Sequence, residues 1–212
     1  MTTAHHPSEE LWQDYRSGQL DAASRWILEG HLAVCRDCSA RGLAQASSEE
    51  GFFPHLPAPA LPGSILSSLL ARVRQVPSLA PPKIGSESLP IPAAFWPLLP
   101  QLPSGGWRGA LTPGFRYLDI PLPEGPHLYL IHLRRGRRFP RHGHVGNERS
   151  VVLCGGLRDG VKILEAGDFD EATTDRIHRP WALPDEDCWI LASLQGTLRF
   201  TGWRGWLQAL MT

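Results

Sequence analysis

The chain has 212 residues, with 21 basic and 21 acidic side chains and so no net formal charge. That balance argues against a protein whose main work is coating nucleic acid, and the length suits one or two domains of ~100–200 residues. No apolar run approaches the ~20 residues that span a bilayer. The polar opening "MTTAHHPSEELWQDYRSG" lacks the apolar centre of a secretion signal. A cytoplasmic protein is expected, in which clustered cysteines point to metal or redox chemistry rather than disulfides.

Residues 1–48 read as helical. Ser8 can cap "EELWQDYRS", which places Leu11, Trp12 and Tyr15 on one side, and Gly18 can end it. Asp21 can cap "AASRWILEGHLAVC". His31 and Cys35 then stand at i and i+4 on one face of this helix, with Cys38 near its end. The stretch "HLAVCRDC" then offers an imidazole and two thiols, three of the four ligands of a closed tetrahedral zinc site. The nearest source of a fourth is the His5-His6 pair. Zinc would staple two short helices, a contribution of ~10–16 kcal/mol in small zinc domains. A redox C-x-x-C pair and unrelated buried thiols are the alternatives.

Twelve of the twenty prolines fall between Pro54 and Pro103, a density that prevents long regular elements. This stretch reads mainly as linker, with His55 exposed between prolines. "SILSSLLARVRQV", Ser64 to Val76, interrupts it. It has no proline and repeats Leu66, Leu69/Leu70, Val73 and Val76 at helical spacing. Ser64 can cap this helix, whose apolar stripe needs a partner surface.

Beyond residue 106 the texture changes. "GFRYLDI", "HLYLIHL", "RSVVLCGG", "VKILEAGD", "CWILASLQG" and "TLRFTGW" are short apolar or alternating runs between Gly, Pro and Asp turn signals. They predict an antiparallel barrel or sandwich, with Trp181 and Trp189 packing it. His127 and His132 lie on a predicted strand and read as structural. Arg134, Arg135, Arg137, Arg138 and Arg141 surround Gly136 and read as a solvated rim.

Within this half, "GRRFPRHGHVGNERSVVLCG" has the form G-x5-H-x-H-x3-E-x6-G. Alternate strand residues share a face, so His142 and His144 can both turn inward. Glu148 follows on the next strand, and His178 of "DRIHRP" can close the cluster. Three imidazoles and a carboxylate suit zinc or another divalent transition metal. The spacing matches the first cupin motif. Cys154 shares the strand parity of Glu148, which would face it inward near that cluster; an inert buried thiol is the other reading.

The segment "HHPSEELWQDYRSGQLDAASRWILEGHLAVCRDCSAR" closely resembles the N-terminal zinc anti-sigma domain of ChrR-type anti-sigma factors. The resemblance assigns zinc to His6, His31, Cys35 and Cys38, and places a further helix beyond a linker, where Ser64 to Val76 falls. The C-terminal half is similar to the cupin-like domain of the same family, whose ligands correspond to His142, His144, Glu148 and His178. One departure is Ile190, which stands where the family's late C-x-C pair, beginning at Cys188, has its second cysteine.

The implied organisation is α+β in separate domains. Residues 1–80 form a zinc-bound helical bundle, 81–105 a Pro-rich linker, and 106–212 a cupin-like, jelly-roll β-barrel. The implied function is an anti-sigma factor, not an enzyme. It binds and inhibits a sigma factor of the extracytoplasmic-function type and releases it on exposure to singlet oxygen or organic hydroperoxide, with no direct contact to nucleic acid or membrane. The rival is a metal-dependent, dioxygenase-like cupin enzyme with an N-terminal zinc module. DNA binding by a zinc finger is a poor third, because the helices carry no basic stripe.

Overall fold

A computed structural model describes residues 3–49, 63–75, 83–84, 87–99, 102, 106–109, 113–123, 125–174 and 176–201. His55 and Val76 lie outside the described residues.

The helical part is set by its caps. Helix α1 (Glu9–Arg16) starts where the Ser8 hydroxyl accepts from the Leu11 amide, with Glu9 and Glu10 in its first turn; acidic groups there suit the helix dipole. Gly18, at φ 71°, turns the chain away. Helix α2 (Ala22–Leu32) starts where the Asp21 carboxylate accepts from the Ser24 amide, and it buries Ala23, Ile27, Leu28 and His31. It does not run on to Cys35. The chain turns at Ala33 and Val34, and Cys35 begins a new helix, α3 (Arg36–Glu49). The cause is local: the Cys35 sulfur accepts from the Cys38 amide at 3.4 Å, so Cys35 caps α3 rather than extending α2. Helix α4 (Gly63–Gln75) starts one residue before the expected Ser64 cap. Its described side chains are exposed, Leu69 and Leu70 each at 49%.

Part of the Pro-rich stretch is packed. A two-stranded ribbon, β1 (Lys83–Ile84) and β2 (Glu87–Ser88), leads to a 3-10 helix (Ala93–Leu98). Ile84, Leu89, Ile91, Phe95 and Leu99 enter the core beside the helices.

The β half is a sandwich of antiparallel strands. One sheet has six strands in the order β10 (Phe169–Ala172), β7 (Glu148–Cys154), β12 (Cys188–Leu194), β5 (His127–Leu133), β4 (Phe115–Ile120) and β3 (Arg108–Gly109). Facing it are a three-stranded sheet, β11 (Trp181–Ala182), β8 (Gly156–Asp159) and β9 (Lys162–Glu165), and a pair, β13 (Thr197–Phe200) with β6 (His142–Val145). The fold is cupin-like, but the described strands do not close into the single ring of a barrel. The facing strands have only two to four residues each, and beyond them single bridges pair Arg138 with Trp181 of β11 and His178 with His142 of β6. The chain crosses from β7 into β8 at Gly155. Its φ is 75°, and a Cβ there would lie 2.3 Å from the Asp187 carbonyl oxygen, so only glycine fits the corner.

The six-stranded sheet is buried on both faces. Leu118, Leu128, Leu130, Val151, Leu153 and Leu191 pack outward against Leu11, Ile27, Leu28 and Phe95. Val152, Ile190 and Ala192 turn the other way, into the sandwich with Phe115 and Leu164. This is the period-2 alternation of a strand with apolar neighbours on each side. Helices and sandwich therefore share one hydrophobic core. A polar seam reinforces it: Arg149 donates to the Ser24 hydroxyl at 2.7 Å and lies 3.4 Å from Glu171, while Gln195 donates to Asp21 at 2.9 Å.

Candidate metal centres

The first centre lies where α1, α2 and α3 meet. His6, His31, Cys35 and Cys38 each offer one ligand atom, and these atoms all lie within 4.8 Å of one another. The His6 Nδ1 is 3.6 Å from the Cys35 sulfur and 3.4 Å from that of Cys38. Donors around tetrahedral zinc stand about 3.3–3.8 Å apart, given Zn–N and Zn–S bonds of ~2.0–2.3 Å. His5 turns away, with its Nε2 3.0 Å from the Ile163 carbonyl.

His31 gives the sharper test. Its Nδ1 donates to the Gly167 carbonyl at 2.7 Å. That fixes the tautomer and leaves Nε2 as a bare lone pair, buried and without a hydrogen-bond partner among the described residues. Such an orphaned atom is costly unless a cation sits beside it. Burial holds the His31 pKa below its ordinary value, which keeps the ring neutral. Burial, with a hydrogen bond to Cys35, pushes the Cys38 thiol up to about 12. Without a cation it remains a thiol at neutral pH; a bound metal is what would favour the thiolate.

Gly167 belongs to the sandwich. It sits in the turn between β9 and β10, and this turn also ties down the N-terminal segment. Asp168 accepts from the Ala4 and His5 amides at 2.7 and 3.1 Å, and the Phe169 amide donates to the His5 carbonyl. The helical ligand set thus takes part of its outer support from the other half of the molecule.

The second centre is inside the sandwich. His142 and His144 come from β6, Glu148 begins β7, and His178 is held by a pair of backbone bonds to His142. The His178 Nε2 lies 3.0 Å from the Nε2 atoms of both His142 and His144. A Glu148 oxygen is 2.6 Å from His144 Nε2 and 3.7 Å from the other two. The outer nitrogens set the tautomers. His142 Nδ1 donates to the Pro140 carbonyl at 2.8 Å, and His178 Nδ1 to Asp159 at 2.6 Å. The inward nitrogens of His142 and His178 would then both present lone pairs at 3.0 Å, an arrangement that needs a proton or a metal between them. Burial would raise the Glu148 pKa, but the three histidines crowded around it outweigh that and hold the group well below its ordinary value. Both centres fit a divalent cation by the chemistry of their donors.

Every residue expected as a ligand falls in one of these groups, and among the described residues they are the groups of three or more His, Cys, Asp or Glu that could hold a metal ion. The outer partners, Gly167, Pro140 and Asp159, were not anticipated. Asp159 carries only an ordinary turn signal in "RDG", and a carbonyl carries none. Cys154 is not near the second centre. A bulge at Trp189/Ile190 breaks the alternation of β7, and Cys154 packs against the outer core, 3.9 Å from Glu186. His132 is structural as expected, stacked on Trp189 and held by Arg116 and Asp187.

A cupin-like sandwich carrying a helical His/Cys unit defines a two-module protein with a candidate metal centre in each half. A model of the ChrR cupin-like domain matches residues 111–197. The anti-sigma-E factor ChrR of Cereibacter sphaeroides is 31% identical over 201 residues, spanning 94% of this chain and 93% of the relative. The crystal structure of Rhodobacter sphaeroides SigE in complex with the anti-sigma ChrR matches with a TM-score of 0.65 and 29% identity, over 92% of this chain and 100% of that one. The chain belongs to the ChrR family of anti-sigma factors.

Proposed function

We propose that this protein binds an extracytoplasmic-function-type sigma factor through its helical part and keeps it from core RNA polymerase. Inhibition is stoichiometric and involves no turnover. Residues 1–80 act as the anti-sigma domain, 81–105 join it to the cupin-like domain of 106–212, and zinc at His6, His31, Cys35 and Cys38 fixes the helices. The observation that carries this reading is α4, a helix with Leu69 and Leu70 exposed, in a chain of which 94% aligns with the anti-sigma factor ChrR. Such a face is suited to a protein surface. The site of action is the cytoplasm; among the described residues no helix is long and apolar enough to cross a membrane.

The second centre, His142, His144, Glu148 and His178, holds zinc or another divalent metal, and the cupin-like domain controls release in response to singlet oxygen or organic hydroperoxide. The test is a sigma-dependent reporter with and without photosensitiser or hydroperoxide. Wild type should repress and then release. A His142→Ala/His144→Ala variant should repress and fail to release. Release unaltered in that variant would remove the second centre from sensing. An enzymatic reading is favoured by one observation, the cavity beside the second centre. Turnover of an added substrate without any sigma-factor complex would replace the anti-sigma reading.

A further inference from the structure

The sandwich interior beside the second centre is not filled. A cavity of about 750 Å³ lies there, reaching exposed Gly109, Gly196 and Thr197 at its rim, with His142, Glu148 and His178 among its lining. Protein interiors normally pack without voids larger than a water, and small-molecule sites run from about 300 to 1,000 Å³. The sequence builds this space. Ser150, Ala172 and Ala192 line it from three neighbouring strands, and Ser150 pairs directly with Ala192 in the register. Small side chains at inward positions leave room that leucine or phenylalanine would take. The remaining wall is largely aromatic and aliphatic, including Phe115, Tyr129, Ile131, Phe139 and Phe200.

Charge at the polar end narrows the occupant. Asp170 is neutralised by Lys162 at 2.6 Å and Arg176 at 3.0 Å, and Arg176 also pairs with Asp159. Two carboxylates thus meet two cations. Glu148 alone faces the divalent metal proposed above, which leaves one positive charge at the cavity's polar end.

We propose that this cavity binds an apolar monocarboxylate, with its hydrocarbon part among the aromatic walls and its carboxylate at the His142–His144–Glu148–His178 cluster. The inference rests on reading that cluster as a metal centre. Its natural role would be to let a small hydrophobic acid bias the cupin-like domain.

The test is calorimetry of the full chain with acetate, hexanoate and octanoate, with 1-octanol as the head-group control, after elemental analysis of the same sample. Octanoate should bind one site per chain, with affinity rising roughly fourfold per added methylene. It should bind at least tenfold more weakly to the chelated protein, and 1-octanol should bind weakly to both. Ala192→Phe should abolish octanoate binding while metal content and circular dichroism stay unchanged; Ala172→Leu, on another strand, repeats the test if the first variant does not fold. Absence of octanoate binding to protein with both metals present would overturn the proposal and leave the metal reading intact. Equal binding of octanoate and octanol, with or without metal, would also overturn it. Elemental analysis showing no metal at the second centre would take down both.

Discussion

His31 divides its two ring nitrogens between the halves of the molecule. Nδ1 donates to Gly167 of the sandwich, and Nε2 faces the sulfurs of the helical unit. Outer contacts of this kind are typically worth 10–100-fold in metal affinity. Gly167 has a φ of 96°, and a Cβ would lie 2.9 Å from Thr3 and Val34 side-chain atoms. Gly167→Ala should therefore shift the turn, weaken the first centre at least tenfold and leave the second intact. Chelator competition with separate readouts of the two metals checks this, and equal retention by mutant and wild type would refute it. At the second centre, burial alone would lower the His178 pKa, but Asp159 and Glu148 outweigh it and push it to about 9. The metal-free folded protein then holds a proton there at about pH 7.5, where ligation needs a bare nitrogen. Metal binding should release about one proton, and the release should fade as pH rises through about 9. Calorimetric enthalpies that do not change with buffer ionisation enthalpy would contradict this. The two donor clusters were legible in the sequence because donor type and spacing carry the signal. Gly167 and Pro140 were not, because they act through carbonyls, which every residue has.

At the scale of elements, caps decided what could be read. Ser8 and Asp21 announce α1 and α2, and the structure places both as caps. The end of α2 is not marked in the sequence, because "HLAVCRDC" holds no glycine or proline to stop a helix; the stop comes from the Cys35 sulfur taking the Cys38 amide. The short facing strands explain the sandwich in place of the expected closed barrel, since strands of two to four residues cannot carry a continuous ladder around. Helix α4 bears the functional prediction. Leu69 is half exposed, so Leu69→Asp costs the free protein little. In a complex it would place a charge in an apolar contact. The affinity for the sigma factor should fall at least tenfold with zinc content unchanged. An unaltered titration would remove α4 from the contact.

At the scale of the whole molecule, the two halves are bound by a common core and by Arg149, which reaches Ser24 of α2 and Glu171 of β10. Removing it leaves Glu171, at 3.4 Å, and Asp21, at 3.8 Å, without their largely buried cation, a loss of about 3 kcal/mol by analogy with broken buried pairs. Arg149→Ala should lower the denaturation midpoint and, because the core is shared, do so in one transition reported alike by helical and strand signals. Separate transitions would mean the halves unfold independently. That shared core was hidden from the sequence, where proline density suggested a spacer. Ile84, Leu89, Ile91, Phe95 and Leu99 are too scattered to show a period, yet all are buried. The proposed function is the silencing of a sigma factor by direct binding. It is tested most directly by in vitro transcription from a sigma-dependent promoter, with purified full-length protein of confirmed metal content titrated against its extracytoplasmic-function-type sigma factor before core polymerase is added. Transcription should fall with added protein and be lost completely near equimolar protein. Undiminished transcription at several-fold excess, with both metals bound, would contradict it.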